Sequence, residues 1–311
     1  MTKTKEISPP EKTRVGTVAL VGRPNAGKST LLNRILGQKV AIISDKPQTT
    51  RTSILGIHTT ESGQIIFIDN PGIHKPLHRL NRRMMNIVYS SLETSDLVCL
   101  LIDASLKFGH GDEYVIQILK KLSTPVFLLL NKIDRIKKSK ALPLIDRYKD
   151  LLPFAEIIPI SALEGINLGL LEESIYRHLP EAEKIYDDDD ISIQSMRFLL
   201  SEIIREKILH HVREELPFTT AVMVNTIEDR PPENKPDAPP RKYVKAQIIV
   251  EKDNHRKIII GRQGSLIRAI GQEARTEIEE ILEAKVFLDL QIKVRERWRD
   301  SADVLDLIDG Q

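Results

Sequence analysis

Eight residues, Gly22-Arg23-Pro24-Asn25-Ala26-Gly27-Lys28-Ser29, stand between a short apolar run, Thr17 to Val21, and an amphipathic stretch, Thr30 to Leu36. The spacing G-x-x-x-x-G-K-[ST], entered from a strand and left through a helix, is one that wraps a phosphate group. Its glycines let backbone N–H groups close around the anion, Lys28 reaches the outer phosphates, and Ser29 coordinates Mg2+. The positive end of the following helix points at the same place. Such a segment constrains the chain to an α/β sheet whose ligand sits at the carboxyl ends of the strands.

The surrounding pattern agrees. From Thr17 to about Pro180, short apolar runs alternate with longer amphipathic stretches, which predicts a mostly parallel sheet with helices on both faces. The expected strands are Thr17 to Val21, Ile65 to Asp69, Leu97 to Asp103, Val126 to Asn131 and Ile157 to Ser161. The base is read at the end of the fourth of these, by Asn131-Lys132-Ile133-Asp134. A carboxylate at Asp134 can face the two N–H donors of guanine, which adenine lacks, and the wrong base leaves buried polar groups unpaired. The stem of Lys132 can cover the base, Asn131 can tie this loop to the phosphate loop, and Ser161-Ala162 can offer a backbone N–H to the guanine carbonyl. Another strand ends in Asp69-Asn70-Pro71-Gly72, where Asp69 can hold Mg2+ through water and the Gly72 N–H can sense a γ-phosphate. The polar loop Gln48-Thr49-Thr50-Arg51 can supply a threonine, Thr50, to the same ion.

Composition matters for the rest of the chain. There are 46 Lys plus Arg against 44 Asp plus Glu, a formal +2, which by itself suggests no polyanionic partner. Residues 1 to 180 hold 25 basic and 17 acidic residues (+8), and residues 181 to 311 hold 21 and 27 (−6). Within the acidic part, residues 241 to 268 hold eight basic and two acidic residues, or +6. Local concentration is what attracts a polyanion. A single cysteine, Cys99, inside an apolar run excludes an intrachain disulfide and reads as a core thiol. The N-terminal residues show neither a signal nor a transit pattern, and no apolar run approaches the ~20 residues of a membrane helix, so any membrane contact is expected to be peripheral.

Pro180 and the acidic run Asp187 to Asp190 mark a break. Residues 1–14 are expected to be a flexible N-terminus, 15–182 the nucleotide-binding domain, 183–191 an acidic linker, 192–300 a second domain and 301–311 a tail. In the second domain the pattern predicts a helix, Ile193 to Val212, strands Thr219 to Ile227 and Val244 to Glu251, a helix Gln263 to Glu283 and a strand Val286 to Val294. Between the first two strands, Arg230 to Arg241 contains five prolines and reads as a disordered hairpin tip. The run Lys257-Ile258-Ile259-Ile260-Gly261-Arg262-Gln263-Gly264 joins two helical stretches through G-x-x-G. Together with Arg268 it predicts an α+β domain of KH type II, whose glycine turn admits a nucleic-acid backbone beside an apolar groove for about four unstacked bases. The C-terminal Lys293, Arg295, Arg297 and Arg299 can touch further RNA or guard an edge strand.

The motifs GRPNAGKST, PQTTR, DNPG, NKID and SAL, followed by Ser201 to Ile208 and Glu214 to Pro217, resemble the Era family of bacterial ribosome-assembly GTPases over about residues 15 to 300. The resemblance implies a P-loop GTPase domain followed by a KH domain, slow hydrolysis of GTP to GDP, and Mg2+ at Ser29, Thr50 and Asp69. It implies binding of 16S ribosomal RNA near its 3′ end, a role in 30S subunit assembly, a monomer in the cytoplasm, and peripheral contact with the inner membrane. The nucleotide would be held by Gly22 through Thr30, Asp69 through Ile73, Asn131, Lys132, Asp134, Ser161 and Ala162. Lys28, Asn25, Thr49, Thr50 and Gly72 would serve hydrolysis. Ile73 stands where Ras-like enzymes carry a water-orienting glutamine. In several GTPases of this kind the asparagine matching Asn25 helps bind K+. The family usually has threonine where this chain has Asn70. A non-enzymatic RNA chaperone or scaffold with structural nucleotide, and an ATPase acting on RNA, remain alternatives at this level.

Overall fold

The computed structural model describes residues 13–230 and 241–309. The chain folds into two compact units, and the second takes in residues 39–52 and 71–87 as well as everything after Ile193.

In chain order the first unit contains β1 (Thr13–Gly22), α1 (Lys28–Leu36), β2 (Ile54–Thr60), β3 (Gly63–Asp69), the second half of α2 (Arg79–Thr94), β4 (Leu97–Asp103), α3 (His110–Leu119), β5 (Val126–Asn131), α4 (Ala141–Tyr148), β6 (Glu156–Pro159), α5 (Leu168–His178) and β7 (Glu181–Ala182). The strands form one sheet in the order β2-β3-β1-β4-β5-β6. β1 lies parallel between β3 and β4, whereas β2 and β7 run antiparallel to their neighbours. β3, β4 and β5 are apolar along nearly their whole length because their neighbours and the helices cover both faces. Cys99 sits in β4, fully buried, and burial pushes its thiol well up from its usual value, as befits an inert core residue.

Two expectations at the ends of this unit change. Thr13 and Arg14, counted in a flexible N-terminus, are strand residues that pair with Ala182 and Glu181. The stretch expected to be a free acidic linker is tied along the sheet. The buried Gln64 accepts from the Ile185 and Tyr186 N–H groups, the Ile57 N–H donates to Ile191, and the Ser192 hydroxyl donates to Leu55. β2, missed in the sequence, is an edge strand whose polar His58, Thr59 and Thr60 weaken the apolar signal.

The second unit contains α6 (Met196–His211), α7 (Leu216–Thr219), β8 (Thr220–Arg230), β9 (Arg241–Val250), α8 (Asp253–Ile260), α9 (Ser265–Ile281), β10 (Val286–Val294) and α10 (Ala302–Asp309). Its sheet has the order β10-β9-β8, with β9 parallel to β10 and antiparallel to β8. This is the type II KH arrangement expected. Alternate residues Val244, Ala246, Ile248 and Val250 of β9 enter a core with Ile203, Ile204 and Ile208 of α6 and Ile270, Ala274 and Ile278 of α9. The other face of the sheet packs Ala221, Met223 and Ile249 against Trp298, Leu80 and Met84. Leu305 joins that second core, so residues expected to be a tail include a docked helix, α10. Most of the Pro-rich segment lies outside the described residues; its flanks, Arg230 and Arg241, pair across β8 and β9.

Candidate functional site

The phosphate loop leaves β1 at Gly22, where φ is 149° and a Cβ would fall 2.4 Å from the Leu101 carbonyl oxygen. At Gly27, φ is 98° and a Cβ would fall 2.3 Å from Asn131 Nδ2. Only glycine fits either place. Asn131, at the end of β5 and 1% exposed, explains the second contact: its Nδ2 donates to the Ala26 carbonyl at 2.8 Å, and its Oδ1 accepts the Ala162 N–H at 2.9 Å. One amide thus joins the phosphate loop, the Asn131-to-Asp134 loop and the Ser161-Ala162 loop.

Lys132 lies across the same place in left-handed backbone, φ 65°, with Nζ donating to the Asn25 carbonyl and pairing with Asp103, each at 2.7 Å. Hydrogen bonds from Lys132 and Ser105 outweigh burial and hold the Asp103 carboxyl below its usual value. No motif singles out Asp103; only its place at a strand end marks it. Asp134 stands exposed at the rim and accepts from the Ser161 hydroxyl at 2.6 Å, which orients its carboxylate.

The cation end is buried. Lys28 is 5% exposed and donates to the Arg23 carbonyl at 3.2 Å; burial pushes its ammonium below its usual value, against the pull of Asp69. Burial likewise pushes the Asp69 carboxyl up to about 6, opposed by Lys28 and by Ser29, whose hydroxyl donates to Oδ2 at 2.6 Å. Asp69 Oδ1 is buried without a hydrogen-bond partner. An orphaned carboxylate oxygen beside a serine hydroxyl is a donor set that fits a hard divalent cation. Asn70 is fully buried: Nδ2 donates to the Ile68 carbonyl, and Oδ1 accepts the Ser91 hydroxyl at 2.8 Å. Its side chain thus sits in a closed network beside Asp69, whose Oδ2 is held by Ser29.

The other expected nucleotide residues, Thr49, Thr50, Pro71, Gly72 and Ile73, belong to the second unit. There the Thr49 hydroxyl donates to Lys46 at 2.6 Å, and the Thr49 carbonyl accepts from Arg205 of α6. Ile73 is buried and offers a water no hydrogen bond. Lys39 pairs with Glu206 and Glu277, the Ile43 N–H donates to Glu206, and the Arg51 guanidinium donates to the carbonyls of Thr220 and Pro217 at 2.7 and 2.8 Å. The sequence pattern hides these tethers because Arg205 and Glu206 look like solvated charges on a helix, yet both are buried.

In the same unit α8 ends in Gly261 with φ 71° and ψ 177°, and a Cβ there would meet Leu266 Cβ at 2.8 Å. Gln263 and Gly264 also take positive φ, and Arg268 donates to the Gln263 carbonyl at 2.5 Å. Lys257, Ile258, Ile260, Arg262, Gln263 and Arg268 line this turn on its solvent side, while Ile259 anchors the helix in the core. The turn thus offers N–H groups, cations and two isoleucines side by side, which suits an unstacked nucleic-acid strand. Arg299, expected to reach RNA or guard an edge, instead pairs with Glu251 through two hydrogen bonds of 2.9 and 2.8 Å.

Residues 17–132 match the family model of the 50S ribosome-binding GTPases, and residues 238–299 match the KH domain model. Two solved structures cover nearly the whole chain. One is Era in complex with MgGDPNP and nucleotides 1506–1542 of 16S ribosomal RNA, at 42% identity over 95% of this chain and 98% of that chain, with a TM-score of 0.90. The other is a single-substitution variant of Aquifex aeolicus Era bound to GDP and aluminium fluoride, at 42% identity over 95% of this chain and 99% of that one, with a TM-score of 0.89. Fold and site define a P-loop GTPase joined to a KH domain. More narrowly, the chain belongs to the Era family of GTPases.

Proposed function

We propose that this protein is a GTP-hydrolysing switch that binds 16S ribosomal RNA near its 3′ end and assists maturation of the 30S subunit. Its nucleotide half is carried by Asn131, whose one buried amide locks the phosphate loop to the loops that read the base. Gly22 through Thr30 wrap the phosphates, Asp134 accepts the guanine N–H donors, the Ala162 N–H meets the guanine carbonyl, and the Lys132 stem covers the base. Ser29, Asp69 and Thr50 would hold Mg2+, which neutralises charge developing between the β- and γ-phosphates.

Ile73 cannot orient the attacking water, and a K+ ion held with the help of Asn25 would supply transition-state positive charge in place of an arginine finger. Thr49, Thr50 and Gly72 sense the γ-phosphate and so link nucleotide state to the KH domain. The RNA half rests on Lys257, Ile260, Gly261, Arg262, Gln263, Gly264 and Arg268, with support from the relative whose complex contains nucleotides 1506–1542. The described residues include no helix long and apolar enough to cross a membrane. A monomer working in the cytoplasm, with peripheral contact at the inner membrane, completes the reading.

The test is nucleotide specificity together with RNA capture. The wild-type protein hydrolyses GTP and crosslinks to the 3′ region of small-subunit RNA in cells, and Asp134→Asn shifts its preference toward xanthine nucleotides. Preference for ATP, or an Asp134→Asn variant with unchanged guanine affinity, overturns the nucleotide assignment.

A further inference from the structure

His74 follows the buried Ile73 and lies at the centre of a hydrogen-bond network within the second unit. Its Nδ1 is 2.7 Å from the Gly72 carbonyl oxygen, two residues back along its own loop. Its Nε2 is 2.5 Å from Asn81 Nδ2, near the start of α2, and 3.3 Å from Gln48 Nε2 in the polar loop that carries Thr49 and Thr50.

The donors and acceptors determine the tautomer. A carbonyl oxygen only accepts, so Nδ1 carries a hydrogen and donates to Gly72, which leaves Nε2 to accept from the Asn81 and Gln48 amides. Each contact has a distinct consequence. The Nδ1–H bond holds the carbonyl of the residue whose N–H senses the γ-phosphate. The Asn81 bond anchors the ring to a helix through a side chain that is 3% exposed. The Gln48 bond reaches the loop bearing the Mg2+ threonine. Gln48 itself has φ 61°, in the left-handed region, a conformation that persists only where surrounding contacts hold it.

We propose that His74 is a positioning residue for GTP hydrolysis: through its Nε2 it couples the Gln48-Thr49-Thr50 loop to the Gly72 loop, so that the two γ-phosphate sensors move together. The inference rests on the assignment of Thr50 and Gly72 to γ-phosphate sensing. Ile73 cannot do this, since an apolar side chain makes no hydrogen bond to either loop.

The experiment compares His74→Ala, His74→Gln, Gln48→Ala and the double variant His74→Ala/Gln48→Ala in steady-state GTP hydrolysis, with GDP affinity and thermal melting as controls for folding. Misaligning groups around a reacting phosphate is expected to lower kcat about tenfold or more in His74→Ala while GDP affinity stays within about twofold. Glutamine retains a side-chain acceptor at the reach of Nε2, so His74→Gln is expected to recover most of the rate. Gln48→Ala, a half-buried loop change that leaves the core intact, is expected to lose rate in the same sense, and the double variant to lose no more than His74→Ala alone. Multiplicative losses in the double variant, or a His74→Ala enzyme within about twofold of the wild-type kcat, overturn the coupling. If Asp134→Asn shows no change of base preference, the nucleotide reading fails first, whatever these variants do.

Discussion

Gly261 shows how one backbone conformation sets up the G-x-x-G turn that the proposed function gives to RNA. Its φ of 71° with ψ of 177° is a region nearly confined to glycine, and a Cβ there would collide with Leu266. Gly261→Ala is therefore expected to cost about 1–3 kcal/mol in thermal or chemical denaturation and to weaken RNA binding, while GTP hydrolysis without RNA stays unchanged. At Asn25, also in left-handed backbone, the expected readout is ionic. Replacing K+ with Na+ slows wild-type hydrolysis, and Asn25→Asp removes that cation dependence. Equal rates in the two salts, together with an unaltered Asn25→Asp enzyme, contradict a K+ role. Residues of this kind are legible in the sequence when their chemistry depends on spacing along one loop: Lys28, Ser29, Asn131 and Asp134 stand where the motifs place them. Asp103, His74 and Asn81 are not, because their contacts are with partners that no motif names.

At the scale of elements, α6 explains why charge in a sequence is easily misread. Arg205 and Glu206 sit among Ile203, Ile204 and Ile208 and look like a polar face, but Glu206 is buried against Lys39, Lys207 and the Ile43 N–H. Burial alone would raise the Glu206 carboxyl; the hydrogen bonds from Lys39, Ile43 and Lys207 outweigh it and bring the carboxyl below its usual value. A folded value below the unfolded one, about 4.3, means the stabilisation is present above that pH and is lost as pH falls through the folded value. Glu206→Gln is expected to lower stability at neutral pH and to flatten the acid-side loss, read from unfolding midpoints between about pH 6 and pH 3. Unchanged acid sensitivity would show that the bond network around Glu206 does not stabilise its charged form.

The short element α10 teaches the converse lesson. Its residues, ADVLDLID, make only about two turns, too short for a helical period to announce itself, and the helix is held because Leu305 packs in the core beside Trp298. Leu305→Ala is expected to destabilise the second unit by about 2–4 kcal/mol in denaturant titration, whereas a change within about 0.5 kcal/mol would mean the helix is not docked in solution.

For the whole molecule, the formal charge of +2 hides a basic stretch around Gly261 to Gly264 inside an otherwise acidic half, and the two-domain pattern hides two segments, residues 39–52 and 71–87, that belong to the second unit. The loops that carry Thr49, Thr50 and Gly72 are part of the compact unit built on the KH sheet. Periodicity could not show this, since loops have no period and their contacts, Arg51 to Thr220 and Arg205 to Thr49, join positions more than a hundred residues apart. On the proposed function, in which these loops sense the γ-phosphate, their membership of the RNA-binding unit links nucleotide state and RNA affinity thermodynamically, in both directions. The direct measurement is the affinity of the full-length protein for 3′-terminal small-subunit RNA, taken once with a non-hydrolysable GTP analogue and once with GDP. Linkage predicts tighter binding with the analogue by about fivefold or more. Equal affinities in the two nucleotide states would contradict it.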